Sequence, residues 1–159
     1  MARAVGSYEG SLRAIVHALK YDRRPSIARH LARRMRAAGA EVRSGADILV
    51  PVPLHRSRQR ERGFNQARHL AKHLGLPVIN ALTRTRSTSS QADLPASKRA
   101  ANVRGAFAPR VDVDGLIIVL VDDVATTGAT LNACAAALMD AGATEVRALT
   151  AAKAVARQP

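Results

Sequence analysis

Six aliphatic residues in a row, Leu116 to Val121, run directly into two aspartates, Asp122 and Asp123, and then into Val-Ala-Thr-Thr-Gly-Ala-Thr. A segment with no polar position on either side of the pleat predicts a strand covered on both faces, which is the pattern of a central parallel strand. Parallel neighbours require crossover segments, and the flanking sequence supplies helical periodicity. Residues 9 to 20 bring Leu12, Ile15, Val16 and Leu19 to one face, and residues 26 to 38 space Ile27, Leu31 and Met35 four apart before Gly39. Ile48, Leu49 and Val50 predict a short buried strand that gives way to a loop at Pro51-Val52-Pro53, because proline offers no ladder donor. Phe64, Ala67, Leu70, Ala71 and Leu74 outline a third helix closed by Gly75, followed by an extended stretch from Pro77 to Leu82. Leu131, Cys134, Ala135 and Leu138 mark the inward face of a helix ending at Gly142, and Val146 to Ala151 form one more buried strand. The expectation is a single α/β domain over residues 1–159, a parallel β-sheet flanked by helices.

The chemistry concentrates where the aliphatic strand meets the next helix. Open α/β sheets bind ligands at the carboxyl ends of their strands, and Asp122 and Asp123 fall there. Two adjacent carboxylates repel each other and lose hydration, a cost that bonds to neighbouring sugar hydroxyls or proximity to a metal would offset. Thr126-Thr127-Gly128-Ala129-Thr130 reads as a tight turn into a helix, with unpaired N–H groups and the positive end of the helix dipole exposed to an anion. Taken alone, this turn is an N-capped helix after a strand. Joined to the aliphatic run and the acidic pair, it reads as a site for a sugar phosphate. Neither G-x-x-x-x-G-K-[ST] nor G-x-G-x-x-G occurs in the sequence.

Charge points the same way without deciding it. Of the net +13, residues 1–110 carry 22 Lys+Arg against 6 Asp+Glu, while residues 111–159 carry 3 against 6. Twenty-one of the 25 basic residues are arginine, whose planar fork matches phosphate oxygens in pairs. A solvated arginine coat and a phosphate-binding surface both fit these numbers. Residues 84–104 interrupt the helix and strand rhythm with Ser, Thr, Pro and charge, the composition of a long loop that closes over a site or of a disordered insertion. The single cysteine, Cys134, has no disulfide partner and reads as a small core residue. No apolar run is long enough to span a bilayer, so membrane insertion is not expected, and the N-terminus lacks a secretory signal, which predicts a cytoplasmic location.

VLVDDVATTGATL, residues 119–131, resembles the phosphoribosyl pyrophosphate (PRPP) signature of type I phosphoribosyltransferases. VPVPLHRSRQRERGFNQARHLA, QADLPASKRAANVRGAF and this signature occur in the order seen in the ComF family of competence-associated proteins, a likeness covering residues 8–153. The resemblance implies the type I phosphoribosyltransferase-like fold and a set of roles. Asp122 and Asp123 would bind the ribose 2- and 3-hydroxyls, and Ala125, Thr126, Thr127, Gly128, Ala129 and Thr130 the 5-phosphate. Leu54, His55 and Arg56 would form the pyrophosphate loop, with Arg58, Arg60 and Arg62 continuing a cationic wall. Lys98, Arg99, Asn102 and Arg104 would belong to a flexible loop over the site. Asp122, Asp123 and Arg56 are the implied catalytic residues, with Mg2+ arriving on PRPP rather than in a protein-built metal site.

The implied reaction transfers the phosphoribosyl group to a nitrogen nucleophile. Thr126 stands where many purine-salvage members carry an aspartate, which turns the expectation away from purine salvage. The N-terminal four-cysteine module of many ComF proteins is not in this sequence, so a short form and a truncated chain both stay open. The other reading is a non-catalytic PRPP-binding protein whose arginines contact DNA or a competence partner. A homodimer is expected only by analogy.

Overall fold

The aliphatic run becomes the centre of a four-stranded parallel sheet in the computed structural model, which describes residues 1–21, 25–86 and 103–154. In chain order the elements are β1 (Ala2–Ser7), α1 (Gly10–Tyr21), α2 (Pro25–Ala38), α3 (Ala40–Arg43), β2 (Ile48–Pro51), α4 (Arg56–Arg62), α5 (Gln66–Ala71), β3 (Leu82–Arg84), β4 (Phe107–Pro109), β5 (Ile117–Ala125), α6 (Ala129–Met139) and β6 (Glu145–Lys153). The strand order is β1-β6-β5-β2, and every pairing in this sheet is parallel. A parallel bridge between Leu49 and Val78 adds a short extended segment outside β2.

The pairing of β2 with β5 begins at a side-chain clamp. Asp47 receives the Ile117 N–H on Oδ2 at 2.7 Å, while its own N–H donates to the Ile117 carbonyl at 2.9 Å. The register then runs Ile48 to Ile118 through Pro51 to Val121. It closes with the Val52 N–H donating to the Val121 carbonyl at 2.9 Å. Pro51 and Pro53 flank Val52 and offer no N–H, so β2 leaves the sheet here while β5 continues.

The two faces of the sheet bury separate hydrophobic clusters. Val119 and Val121 face one built with Val16 and Leu19 of α1, Leu31 and Met35 of α2, and Leu70 of α5. Ile118 and Leu120 face the other, built with Leu131, Cys134 and Leu138 of α6 and with Leu82 and Phe107. The unbroken aliphatic run is thereby explained, since both faces of β5 are covered. After β2 the chain passes through α4 and α5 to the outer side of β2; after β5 it passes through α6 to β6 on the other side. The connections diverge between β2 and β5, which makes that gap a topological switch point.

Several elements depart from the sequence-based expectations. β1 was not foreseen, because Ala-Arg-Ala-Val-Gly-Ser shows neither a run of large apolar residues nor strict alternation. Ile15 is 39% exposed, and the buried side of α1 is set by Val16 and Leu19. The third helix is shorter than residues 64–74, with α5 spanning Gln66–Ala71. The loop expected after Pro53 gives way to α4 at Arg56. Of the loop expected over 84–104, Arg84 belongs instead to β3, which pairs antiparallel with β4 in a separate two-stranded sheet, and residues 87–102 lie outside the described residues. Lys98, Arg99 and Asn102 lie outside the described residues.

Gly39, between α2 and α3, shows how closely the first cluster is packed. A Cβ there would stand 2.6 Å from the Leu149 methyls and 2.9 Å from the Met35 carbonyl oxygen. Gly39→Ala is expected to destabilise the fold by about 1–3 kcal/mol, the usual cost of overpacking a filled core. Urea unfolding would register this as a lower midpoint at unchanged slope, and an unchanged midpoint would contradict the packing described.

Candidate functional site at the switch point

The ladder between β2 and β5 ends with Val52 donating to the Val121 carbonyl, so the turn after β2 leaves the sheet where β5 goes on into its acidic pair. His55, extended at φ −64° and ψ 149°, caps α4: its Nδ1 accepts the Ser57 N–H at 3.3 Å and lies 2.8 Å from Ser57 Oγ. With Nδ1 accepting from the backbone, the imidazole of His55 serves as a helix cap. Arg56 opens α4, a helix with no buried residue that also carries Arg58, Arg60 and Arg62. The described fold therefore sets the expected cationic wall on a short exposed helix. Arg62 has bonded or electrostatic partners of its own.

A second side chain fixes the same turn. Asn65 caps α5 by accepting the Arg68 N–H on Oδ1 at 3.2 Å, and its Nδ2 donates to the Val52 carbonyl at 2.9 Å. One amide thus ties the start of α5 to the last residue that β2 pairs with β5. Asn65 was passed over in the sequence reading, although an asparagine directly before Ala67, Leu70 and Ala71 is a recognisable N-cap signal.

On the other side of the gap β5 does not stop at its acids. Asp122 pairs in register with Thr150 and Val124 with Ala152. Leu120 and Ala125 pack with the second cluster, whereas Val121 and Val124 pack with the first, so the alternation shifts by one residue across Asp122 and Asp123. β6 shifts with it, since Leu149, Ala151 and Ala152 all belong to the first cluster. Such local shifts re-aim side chains, as bulges beside functional sites do. Both acids are half-buried, and each accepts a bond from the amide that follows: the Asp123 N–H donates to Asp122 Oδ1 at 2.8 Å and the Val124 N–H to Asp123 Oδ1 at 2.7 Å.

Asp122 also sits in the field of β3 and α6. Burial lowers the pKa of the Arg84 guanidinium and the Arg58 charge lowers it further, while Cys134 and Asp122 oppose that shift. Burial raises the Cys134 thiol well above its ordinary value and Asp122 adds to the rise. Cys134 is a core residue, as expected, that also borders the acidic site. Arg84 was not among the residues singled out from sequence. Its place beside Asp122 arises from the β3–β4 hairpin, which sequence reading did not foresee.

Gly128, at φ +78°, caps α6, and Thr127 Oγ1 accepts the Ala129 N–H at 3.4 Å. The left-handed backbone requires glycine here, even though nothing lies within 4 Å of where a Cβ would stand. Thr126 and Thr127 are exposed, and with Gly128 they line a cavity of about 450 Å3 that Lys153 also borders. Pro53, Leu54, Arg56 and Arg84 line a second cavity of about 600 Å3. Arg104, the one described residue among the four loop candidates, is exposed and lines a third cavity against the outer side of α6 with Ala133 and Ala137. Its carbonyl accepts a bond from Arg86.

Comparison with known proteins matches residues 60–159 to the phosphoribosyl transferase domain family. DNA utilization protein YhgH of Salmonella typhimurium is 38% identical over 157 residues, spanning 91% of this chain and 68% of that protein. The chain belongs to the ComF family of phosphoribosyltransferase-like proteins. Competence protein F of Haemophilus influenzae is 31% identical over 156 residues, covering 90% of this ComF-family chain and 68% of the relative. Competence protein ComFC of Bacillus subtilis is 37% identical over 95 residues, covering 60% and 39% respectively. The parallel sheet with helices on both faces agrees with the type I phosphoribosyltransferase-like fold expected of a ComF-family chain.

The Asn65 clamp yields a graded test. Asn65→Asp keeps the cap acceptor and loses the donor to Val52, whereas Asn65→Ala loses both. Urea unfolding should show about 1 kcal/mol of destabilisation for the aspartate variant and clearly more for alanine. Equal stabilities for the two variants would contradict a double role for this amide.

Proposed function

We propose that this ComF-family protein binds 5-phosphoribosyl 1-pyrophosphate at the switch point and transfers the phosphoribosyl group to a nitrogen nucleophile, releasing pyrophosphate. One observation carries the reading. The last hydrogen bond between β2 and β5, from Val52 to Val121, starts the cationic turn of Leu54, His55 and Arg56 beside the half-buried acids that follow Val121. In this reading Asp122 and Asp123 hold the ribose hydroxyls. The turn from Ala125 through Thr126, Thr127, Gly128, Ala129 and Thr130 holds the 5-phosphate at the N-terminus of α6. The bond from C1 to the pyrophosphate oxygen breaks as the nitrogen bonds C1 from the opposite face. Carboxylates near the sugar stabilise its oxocarbenium character, while Arg56 neutralises charge on the leaving group. The shift of alternation across Asp122 and Asp123 supports the role of that segment, because strand irregularities re-aim side chains for function.

Magnesium belongs to the same reading. Among the described residues no group of three or more His, Cys, Asp and Glu could hold a metal ion. A donor set of one or two carboxylates completed by phosphate oxygens and water suits Mg2+, so Asp122 and Asp123 fit an ion carried in on PRPP. The ion would supply charge neutralisation on the pyrophosphate. A cytoplasmic location accords with this chemistry, and among the described residues no helix is long and apolar enough to cross a membrane.

Titration calorimetry with PRPP and magnesium tests the site directly. The native chain should bind, and Asp123→Asn should weaken binding by about tenfold or more, the loss expected for hydrogen bonds to a charged group. Unchanged affinity would remove the acids from the site. Binding with no pyrophosphate release across a broad panel of nitrogen nucleophiles would leave a PRPP-binding protein and defeat the transferase.

A second reading draws on the +16 balance of residues 1–110, 22 Lys+Arg against 6 Asp+Glu, and on the DNA utilization and competence proteins among the relatives. Here the arginines contact DNA or a competence partner during DNA uptake. If they contact phosphates directly, DNA affinity should fall steeply as salt rises, because counterions are released. Retention that ignores salt, or none at low salt, would count against DNA contact.

A further inference from the structure

The cavity of about 600 Å3 between α4, α5 and β3 has walls that exceed what a pyrophosphate loop requires. Arg56, Arg68, Arg84 and Arg110 all line it. No aspartate or glutamate lines it among the described residues. His69 is another lining residue. Its pKa is lowered first by burial and then by Lys72, Arg68 and His73, and the arginines of α4, β3 and residue 110 line the same space. Four guanidinium groups around one hollow repel one another, and an anion relieves that repulsion.

The same cavity holds an aromatic ring that the core does not use. The chain has two phenylalanines; Phe107 is buried in the second cluster, whereas Phe64 is half-exposed and packs in neither. Its recorded ring contact is edge-on to His69, with centroids 5.2 Å apart at 66°. Phe64 and Leu54 give the cationic hollow one apolar wall, and Gln59 and Asn80 contribute amides. Cations, an aromatic platform and amide hydrogen-bonding groups around a volume suited to one small ligand are the recognition chemistry of a nucleotide.

We infer that this cavity binds a nucleoside phosphate, with its phosphates on Arg56, Arg68, Arg84 and Arg110 and its base against Phe64. The site goes beyond the proposed PRPP pocket, sharing Leu54 and Arg56 with it and adding Arg68, Arg84, Arg110 and Phe64. A free nucleotide suits the hollow better than a nucleic acid strand, because a strand needs successive stacking platforms and this lining offers one phenylalanine.

The test is calorimetry with adenosine 5′-diphosphate, inorganic pyrophosphate and a short single-stranded oligodeoxynucleotide on the whole chain. Adenosine diphosphate should bind about fivefold or more tighter than pyrophosphate, and Phe64→Ala should erase that difference without weakening pyrophosphate. Arg110→Ala should weaken both by about tenfold. Phe64→Leu, which retains an apolar side chain without a ring, repeats the comparison if the alanine variant does not fold. Equal affinities for diphosphate and nucleotide in the native chain, or an advantage that survives loss of the ring, would overturn the nucleoside assignment. Binding of the oligodeoxynucleotide alone, or indifference to both Arg68→Ala and Arg110→Ala, would overturn the site. Asp123→Asn separates this inference from the PRPP reading: it should leave adenosine diphosphate affinity unchanged, and equal weakening of both ligands would put the nucleotide in the ribose pocket instead.

Discussion

The parallel pairing of β2 with β5 is the constraint on which the site depends. It is pinned at one end by Asp47 and ended at the other by two prolines around Val52. Because β2 runs out of donors while β5 keeps pairing with β6, β5 projects beyond its neighbour through Ala125. A strand that loses one neighbour exposes main-chain groups and side chains along that flank. Asp122 and Asp123 fall in this stretch. The partial exposure of the acids fits the place where one ladder ends.

The electrostatics follow from the same geometry. Two carboxylates on one strand would destabilise each other in isolation, yet each accepts the next residue's N–H, and Arg84 on the neighbouring hairpin faces Asp122. These amide and cation contacts offset part of the repulsion before any ligand arrives. The arginines of α4 have the opposite arrangement. Arg56, Arg58, Arg60 and Arg62 occupy a seven-residue helix with no acid in its first turn and Glu61 as its acidic residue. Four guanidinium charges on so short a helix favour an anion close by.

How far the site could be read from sequence depended on the range of the interaction. Leu116–Val121 announced a two-sided strand because burial on both faces leaves a direct compositional trace, and Pro51 and Pro53 announced the end of β2 because a missing N–H is a local fact. Ile27, Leu31 and Met35 gave α2 through their spacing. α4 left no such trace: it buries nothing, so no apolar period marks it, and its start depends on the His55 cap. β3 and β4 are three residues each and exist through their pairing across a long separation, which no local pattern records. Arg84 stayed hidden for that reason. Asn65 was legible as a cap, but its second bond to Val52 required the fold.

The two aspartates, read from sequence as an equivalent pair, are physically distinct. Asp122 faces the cluster that contains Cys134 and interacts with Arg84, so its charge is already partnered from the β3 side. Asp123 accepts the amide of Val124, the residue at which the alternation of β5 returns to the first cluster. A ligand cation or hydroxyl reaching Asp122 must therefore compete with a guanidinium and with the Asp123 amide, and at Asp123 the Val124 amide is among the bonds already in place. An anionic ligand in the arginine-lined cavity would draw on Arg84 and loosen its hold on Asp122. Arg84 lines the cationic cavity and interacts with Asp122, which makes this one side chain common to both halves of the site.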